Sequence, residues 1–329
     1  MVPDAVSAHA TAHAAAADMG SDAEPARAPW QGVFALKVDV DTRLGLRDGA
    51  PRLLELLAHH GVQATFFVAM GPDRTGLSIR RVLRQKGFLA KMVRSRAPSL
   101  YPLETMLRGT LLPSAPIVAR QPERVREIDR AGHELGVHGW DHVRWHDELA
   151  DLAPAVVAAE IERAAALFDE VLGRRPQAFA APGWQCTGES LRAVDRAGFR
   201  YRSDTRGDSP YRPQAGGYVA GTAELPTTLP TLDELLGRVD STPAAIAAEY
   251  AARLRPNGLN VHTIHTEVEG GPCLQHLDEL LVRVRDRMPV VTLGEIAAML
   301  PPVERLPVAA VAPGRLPGRG GTVACQVPA

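Results

Sequence analysis

The sequence predicts an α/β fold of parallel strands with helices between them, and three observations predict it. Short apolar runs alternate with longer helix-like stretches, the first unit reads strand, helix, strand, and the polar residues suited to chemistry fall at the carboxyl ends of the apolar runs. The first unit comprises an apolar run at 33–40, a helical stretch at 50–60 and a second run at 62–69. Later runs at 134–137, 177–180, 259–264 and 289–293 alternate with helical stretches at 122–131, 154–172, 188–197, 243–254 and 274–287. If such a sheet closes into a barrel, the carboxyl ends of its strands converge on one face, where chemistry is found in folds of this kind. Asp39 and Asp41 end the first run, His138 follows Leu135 and Val137, and His265 follows the run 261–264.

The 329 residues suffice for one large domain. We read that domain at 32–303, preceded by a disordered Ala-rich extension at 1–31 and followed by an irregular Pro- and Gly-rich tail at 304–329. With 37 basic and 38 acidic residues the formal charge is −1, so no global field argues for nucleic acid or another polyanion. Cys186, Cys273 and Cys325 lie far apart, which argues against a disulfide scaffold and against a thiolate zinc site. The first thirty residues lack the basic start and apolar run of a secretory signal, and no run of about 18 apolar residues occurs, so a transmembrane helix is not expected.

Three segments carry candidate chemistry. In Lys37-Val38-Asp39-Val40-Asp41-Thr42 two carboxylates fall on one face of a strand end; one can bind a cation while the other, kept ionised by it, takes a proton from water. In His138-Gly139-Trp140-Asp141-His142 two imidazoles four residues apart face the same side and can reach one ion, with His146 a further turn away as another possible ligand. A carboxylate from the first strand completes a better-balanced hydrolytic site, leaving positions for water and substrate. In the third segment, Thr263-Ile264-His265-Thr266-Glu267-Val268-Glu269-Gly270, period two places His265, Glu267 and Glu269 on one side, with His265 the candidate general acid. Each segment taken alone also reads as an ordinary cap, helix face or strand rim.

At these residues the sequence resembles the polysaccharide deacetylases with the NodB homology domain. It is more closely similar to the 4-deoxy-4-formamido-L-arabinose-phosphoundecaprenol deformylases, on Gly71-Pro72-Asp73, Ser99-Leu100-Tyr101, Ser203-Asp204-Thr205-Arg206-Gly207 and the run from Leu225 to Thr231 besides the three segments. The resemblance implies a distorted parallel (β/α) barrel and one divalent metal ion, zinc, cobalt, manganese or iron, on Asp41, His138 and His142. It implies Asp39 as base and His265 as acid in removing the formyl group from a lipid-linked formamido sugar, a step toward lipid A modification and polymyxin resistance. N-deacetylation of a glycan by the same chemistry is the alternative, and a non-catalytic sugar-lipid binding protein is a third reading. The wider family places an Arg at the start of its third motif to restrain the base, whereas this chain reads Phe179-Ala180-Ala181-Pro182-Gly183-Trp184; Arg206 is the expected replacement. Trp184, Arg206, Glu267, Glu269 and Tyr101 are the candidates for substrate contact.

A lipid-linked substrate requires approach to a bilayer. Within a basic insertion at about 74–115, the stretch 77–96 holds Arg80, Arg81, Arg84, Lys86, Lys91, Arg94 and Arg96 among apolar residues, with no acidic one. Arg80, Arg81, Arg84 and Lys91 are the expected contacts to an anionic surface, each worth roughly 1 kcal/mol. Peripheral attachment to the cytoplasmic side of the inner membrane is therefore expected.

Overall fold

The seven residues of strand β1 (Phe34–Val40) alternate between two environments. Phe34, Leu36, Val38 and Val40 pack outward against the helices, while Ala35 points inward with Phe67, Ala178, Ala180, Tyr201, Leu225 and Val261. Each fully buried Val or Leu of the outer set contributes roughly 2 kcal/mol. By the same period Lys37 and Asp39 face the inside, both almost fully buried.

The computed structural model describes residues 27–79 and 103–327. Its strands, in chain order after β1, are β2 (Thr65–Val68), β3 (Pro72–Asp73), β4 (Ala115–Pro116), β5 (Glu134–Val137), β6 (Ala178–Phe179), β7 (Tyr201–Arg202), β8 (Arg212–Ala215), β9 (Tyr218–Val219), β10 (Ala223–Glu224), β11 (Asn260–His265), β12 (Val290–Val291), β13 (Val308–Gly314) and β14 (Val323–Gln326). The main sheet runs β10-β7-β6-β5-β2-β1-β11, with β12 against the foot of β1. Every pairing in it is parallel. The sheet curls until β10 approaches β11, and irregular chain bridges the gap: the N–H groups of Thr228 and Leu229 both donate to Val261 O at 3.1 Å. The outcome is the distorted parallel barrel that the resemblance implies.

Helices Ala50–His60, Pro122–Arg130, Pro154–Leu172, Gly188–Ala197, Pro243–Arg253 and Leu274–Arg285 cover the outside. Their buried residues, among them Leu53, Leu57, Ile128, Ile161, Phe168, Ile246 and Leu281, join the outward side chains of β1, β2 and β5 in one core. Three of these helices begin on proline, which loses no hydrogen bond at a first turn, where its N–H would have no partner. Strands β3 and β4 pair antiparallel at the base of the insertion. Arg80, Arg81, Arg84, Lys91 and Tyr101, with the N-terminal residues 1–26, lie outside the described residues.

The C-terminal region corrects an expectation. The segment expected to be an irregular tail forms β13 and β14, which join β8 and β9 in a four-stranded sheet. Strand β13 changes partner along its length, from β8 at Val308–Ala310 to β14 at Val311–Gly314. Pro313 falls where β14 alone pairs with it, so its missing N–H breaks no ladder on the other side. The proline and glycine content that argued for irregular chain is thus compatible with strand.

Candidate metal centre and active site

Three elements bring ligand atoms together at the carboxyl end of the barrel. Asp41 continues the inward series of β1 one step beyond Asp39. His138 follows β5, and a turn through Gly139, whose φ of 71° suits glycine, starts the short helix His142–Glu148. Asp141 caps that helix by accepting from Arg144 N at 3.1 Å and takes a second bond from Arg74 Nη1 at 2.7 Å. Trp145, fully buried, donates its indole N–H to Gln185 O, and Arg144 pairs with Glu160 at 3.0 Å. The helix that presents His142 is thus tied at its cap, its buried face and its flank.

His138 Nε2 lies 3.4 Å from Asp41 Oδ1, and His142 Nε2 lies 3.3 Å from Asp41 Oδ2. One ligand atom from each of these residues falls within 4.8 Å of the others, the spacing a single cation can span. His138 Nδ1 is 2.9 Å from Ala180 O, which fixes it as the protonated nitrogen and leaves Nε2 as the lone-pair donor. Burial holds this imidazole well below its usual pKa, and Lys37 pushes the same way. His146 stands apart from the group, its Nδ1 2.8 Å from Asp147 and its ring over Gly183. A Cβ at Gly183 would lie 1.8 Å from the His146 ring, so the third-motif loop needs glycine there.

Asp39 and His265 are register partners on the adjacent parallel strands β1 and β11, so their side chains emerge on one face of the sheet. Burial pushes the Asp39 carboxyl up to about 6 against the opposing pull of Lys37. Asp39 Oδ2 is 3.8 Å from Lys37 Nζ and 3.8 Å from His138 Nε2, and its Oδ1 is buried with no hydrogen-bond partner among the described residues. Lys37 also donates to Ser203 O at 2.9 Å.

The two acidic residues after His265 turn toward backbone. Glu267 Oε1 accepts from Asp41 N at 3.3 Å, Thr42 N at 2.8 Å and Thr42 Oγ1 at 2.7 Å. Burial pushes its carboxyl up to about 7. Glu269 accepts from His265 N at 2.8 Å, and burial pushes it up to about 8. Trp184 is 3% exposed, has a φ of 52°, and donates to Thr227 Oγ1. Lys37, Arg206 and Arg319 all stand over its ring.

Arg206 does not restrain Asp39. Its guanidinium forms a two-pronged pair with Glu234 at 2.8 and 3.3 Å and a bond to Leu229 O at 2.9 Å. The cation beside Asp39 is Lys37, which the sequence reading passed over although the inward series Ala35, Lys37, Asp39, Asp41 was legible by period two. Asp141 was equally legible as a cap directly before the helix. Arg319 carried no local signal, because only the fold of the C-terminal strands brings it to Trp184.

Comparison with known proteins follows the same lines. The family model for polysaccharide deacetylase matches residues 31–202. The chain belongs to the polysaccharide deacetylase family. Within the family it is 41% identical over 251 residues to a Shewanella sediminis protein named "probable 4-deoxy-4-formamido-L-arabinose-phosphoundecaprenol deformylase ArnD", covering 76% of this chain and 81% of that one. A protein of the same name from Wigglesworthia glossinidia brevipalpis is 28% identical, covering 86% and 98%. A crystal structure described as a polysaccharide deacetylase from Mycobacterium smegmatis superposes with a TM-score of 0.60 at 23% identity, covering 87% of this chain and 96% of that one, and shares the fold. The polysaccharide deacetylase match ends at β7, so Glu234, His265 and the C-terminal strands lie beyond it.

Proposed function

We propose that this chain is a metal-dependent amide hydrolase that removes the formyl group from undecaprenyl-phosphate-linked 4-deoxy-4-formamido-L-arabinose. The observation that carries the chemistry is the meeting, at one barrel mouth, of a three-ligand group with a buried carboxylate and an imidazole in register beside it. The substrate rests on likeness to the relatives named as deformylases.

The donor set suits a divalent ion: two imidazole nitrogens and a carboxylate oxygen, with the second nitrogen of His138 committed to a backbone carbonyl as ligand histidines require. Asp41, His138 and His142 would hold it, and such a set accepts zinc, cobalt, manganese or iron. When bound, the ion supplies Lewis acidity toward the amide carbonyl and acidifies water. Asp39 takes a proton from the attacking water, whose oxygen bonds to the formyl carbon. His265 donates a proton to the sugar nitrogen as the C–N bond breaks. Formate and a free amine leave. Glu267 and Glu269 serve the reaction through the backbone of Asp41 and His265, and Trp184 and Arg206 through the loops they brace.

Among the described residues no helix is long and apolar enough to cross a membrane. A polyprenyl substrate stays in its bilayer, so in this reading the chain docks peripherally on the cytoplasmic side of the inner membrane through the basic stretch 77–96, with Tyr101 close to the lipid. The product amine is cationic at neutral pH, which suits it to lowering the negative charge of lipid A. The test is formate release from the lipid-linked formamido sugar by purified protein of known metal content, with His138→Ala as control. Acetate release from an N-acetylated glycan, with no formate from the lipid, would overturn the formamide reading.

A further inference from the structure

We propose that Lys37 is the positioning residue for Asp39, anchoring one carboxylate oxygen so that the other is held ready to accept the proton of the attacking water. The proposal rests on the reading of Asp39 as the base. Lys37 and Asp39 stand two residues apart on the inward face of β1, and neither reaches solvent to any useful extent. An ammonium buried this deeply loses its hydration, so its position must return something that a methionine of similar shape would not.

Its surroundings fix where the charge sits. Nζ donates to Ser203 O at 2.9 Å, and the rings of Phe67 and Trp184 lie 5.4 and 5.5 Å away, so the ammonium is held between a carbonyl and two aromatic faces. From there it is 3.8 Å from Asp39 Oδ2. Among the described residues Lys37 is the sole permanent cation within 4.0 Å of the Asp39 carboxylate, since the other neighbour at that range is the imidazole of His138. The arginine expected in that role, Arg206, is committed to Glu234.

The division of labour between the two oxygens follows. Oδ2 faces Lys37 and His138, whereas Oδ1 is buried without a hydrogen-bond partner among the described residues. A carboxylate pinned at one oxygen cannot swing the other away from the mouth. Oδ1 is therefore the proton acceptor.

The test is a double-mutant cycle of Lys37→Met, Asp39→Asn and both together, with Lys37→Arg as the charge-keeping variant, read by formate release, bound metal per chain and urea unfolding of the metal-free protein. Lys37→Met is expected to lower kcat about 100-fold, with KM within about threefold and metal content unchanged, and Lys37→Arg to recover to within about tenfold. In the Asp39→Asn background the same Met substitution should cost less than about threefold in kcat, because residues acting as a unit are not additive. A Lys37→Met enzyme with wild-type kcat, equal losses in both backgrounds, or a Lys37→Arg variant as slow as Lys37→Met overturns the proposal. If Lys37→Met alone unfolds, a stable double variant supports the pairing, and unfolding of both shows that Lys37 is merely structural. Wild-type kcat in Asp39→Asn would instead remove the base assignment itself.

Discussion

Glu267→Ala isolates the loop that carries Asp41, the carboxylate proposed to bind the metal ion. The carboxylate is 5% exposed, and one of its oxygens takes three hydrogen bonds, from the N–H groups of Asp41 and Thr42 and from the Thr42 hydroxyl. Removing it takes the acceptor from the buried N–H of Thr42 and the part-buried N–H of Asp41, at about 1–3 kcal/mol each, while the hydroxyl can rotate to a new partner. The longer 3.3 Å bond to Asp41 N falls at the low end of that range. Unfolding free energy should therefore drop by about 2–4 kcal/mol. The affinity for added zinc should fall about 10–100-fold, the usual effect of losing a group that orients a ligand. Glu267→Gln keeps the accepting oxygen and should lose only about 1 kcal/mol. Urea unfolding of the metal-free chain and competitive zinc titration measure both quantities. Zinc affinity within twofold of wild type in Glu267→Ala, whatever its stability, would refute the idea that this carboxylate shapes the metal site.

Three further outcomes are expected. His142→Ala should lose stoichiometric zinc while His146→Ala retains it, because His146 stands outside the three-atom group; equal loss in both would redraw the ligand set. Burial raises Glu269 from 4.5 to about 8, so the folded state holds an extra proton between those values and stability declines as pH rises through that window. Glu269→Gln should flatten that decline in urea titrations from pH 5 to 8, and an unchanged slope would assign it elsewhere. Arg319→Ala removes a cation 4.5 Å from the Trp184 ring and 3.4 Å from Glu234, and a stability loss of about 1–2 kcal/mol is expected by thermal unfolding; no loss would mean that the C-terminal strands do not brace the third-motif loop.

Legibility followed the length of each element. Strand β1 and helix Pro154–Leu172 are long enough to show their periods, and their predicted and observed limits differ by at most one residue. Strand β6 has two residues and was still marked by the apolar run 177–180 around it, whereas β7 and β10, equally short, lack such a run and take their place from their neighbours in the sheet. The site was legible where its residues share one strand or one turn, as Asp39 with Asp41 and His138 with His142 do. It was not legible where a partner arrives from afar: Glu234 lies 28 residues beyond Arg206, and nothing local announces that they pair. The tail was misread because proline and glycine signal loops on average, whereas β13 places Pro313 where one neighbour suffices.

The C-terminal strands also set the timing of assembly. Gln185 Nε2, in the third-motif loop, donates to Thr322 O, 137 positions later in the chain. During synthesis that loop leaves the ribosome on the order of ten seconds before the residues that clamp it. A nascent barrel can therefore close its sheet and gather Asp41, His138 and His142 while the Gln185 side chain still awaits Thr322. The last contact to this loop is the one made last, so a chain stalled before Thr322 would have Asp41, His138 and His142 in place and the loop held by Trp145 and Thr227 but not yet by the C-terminal strands.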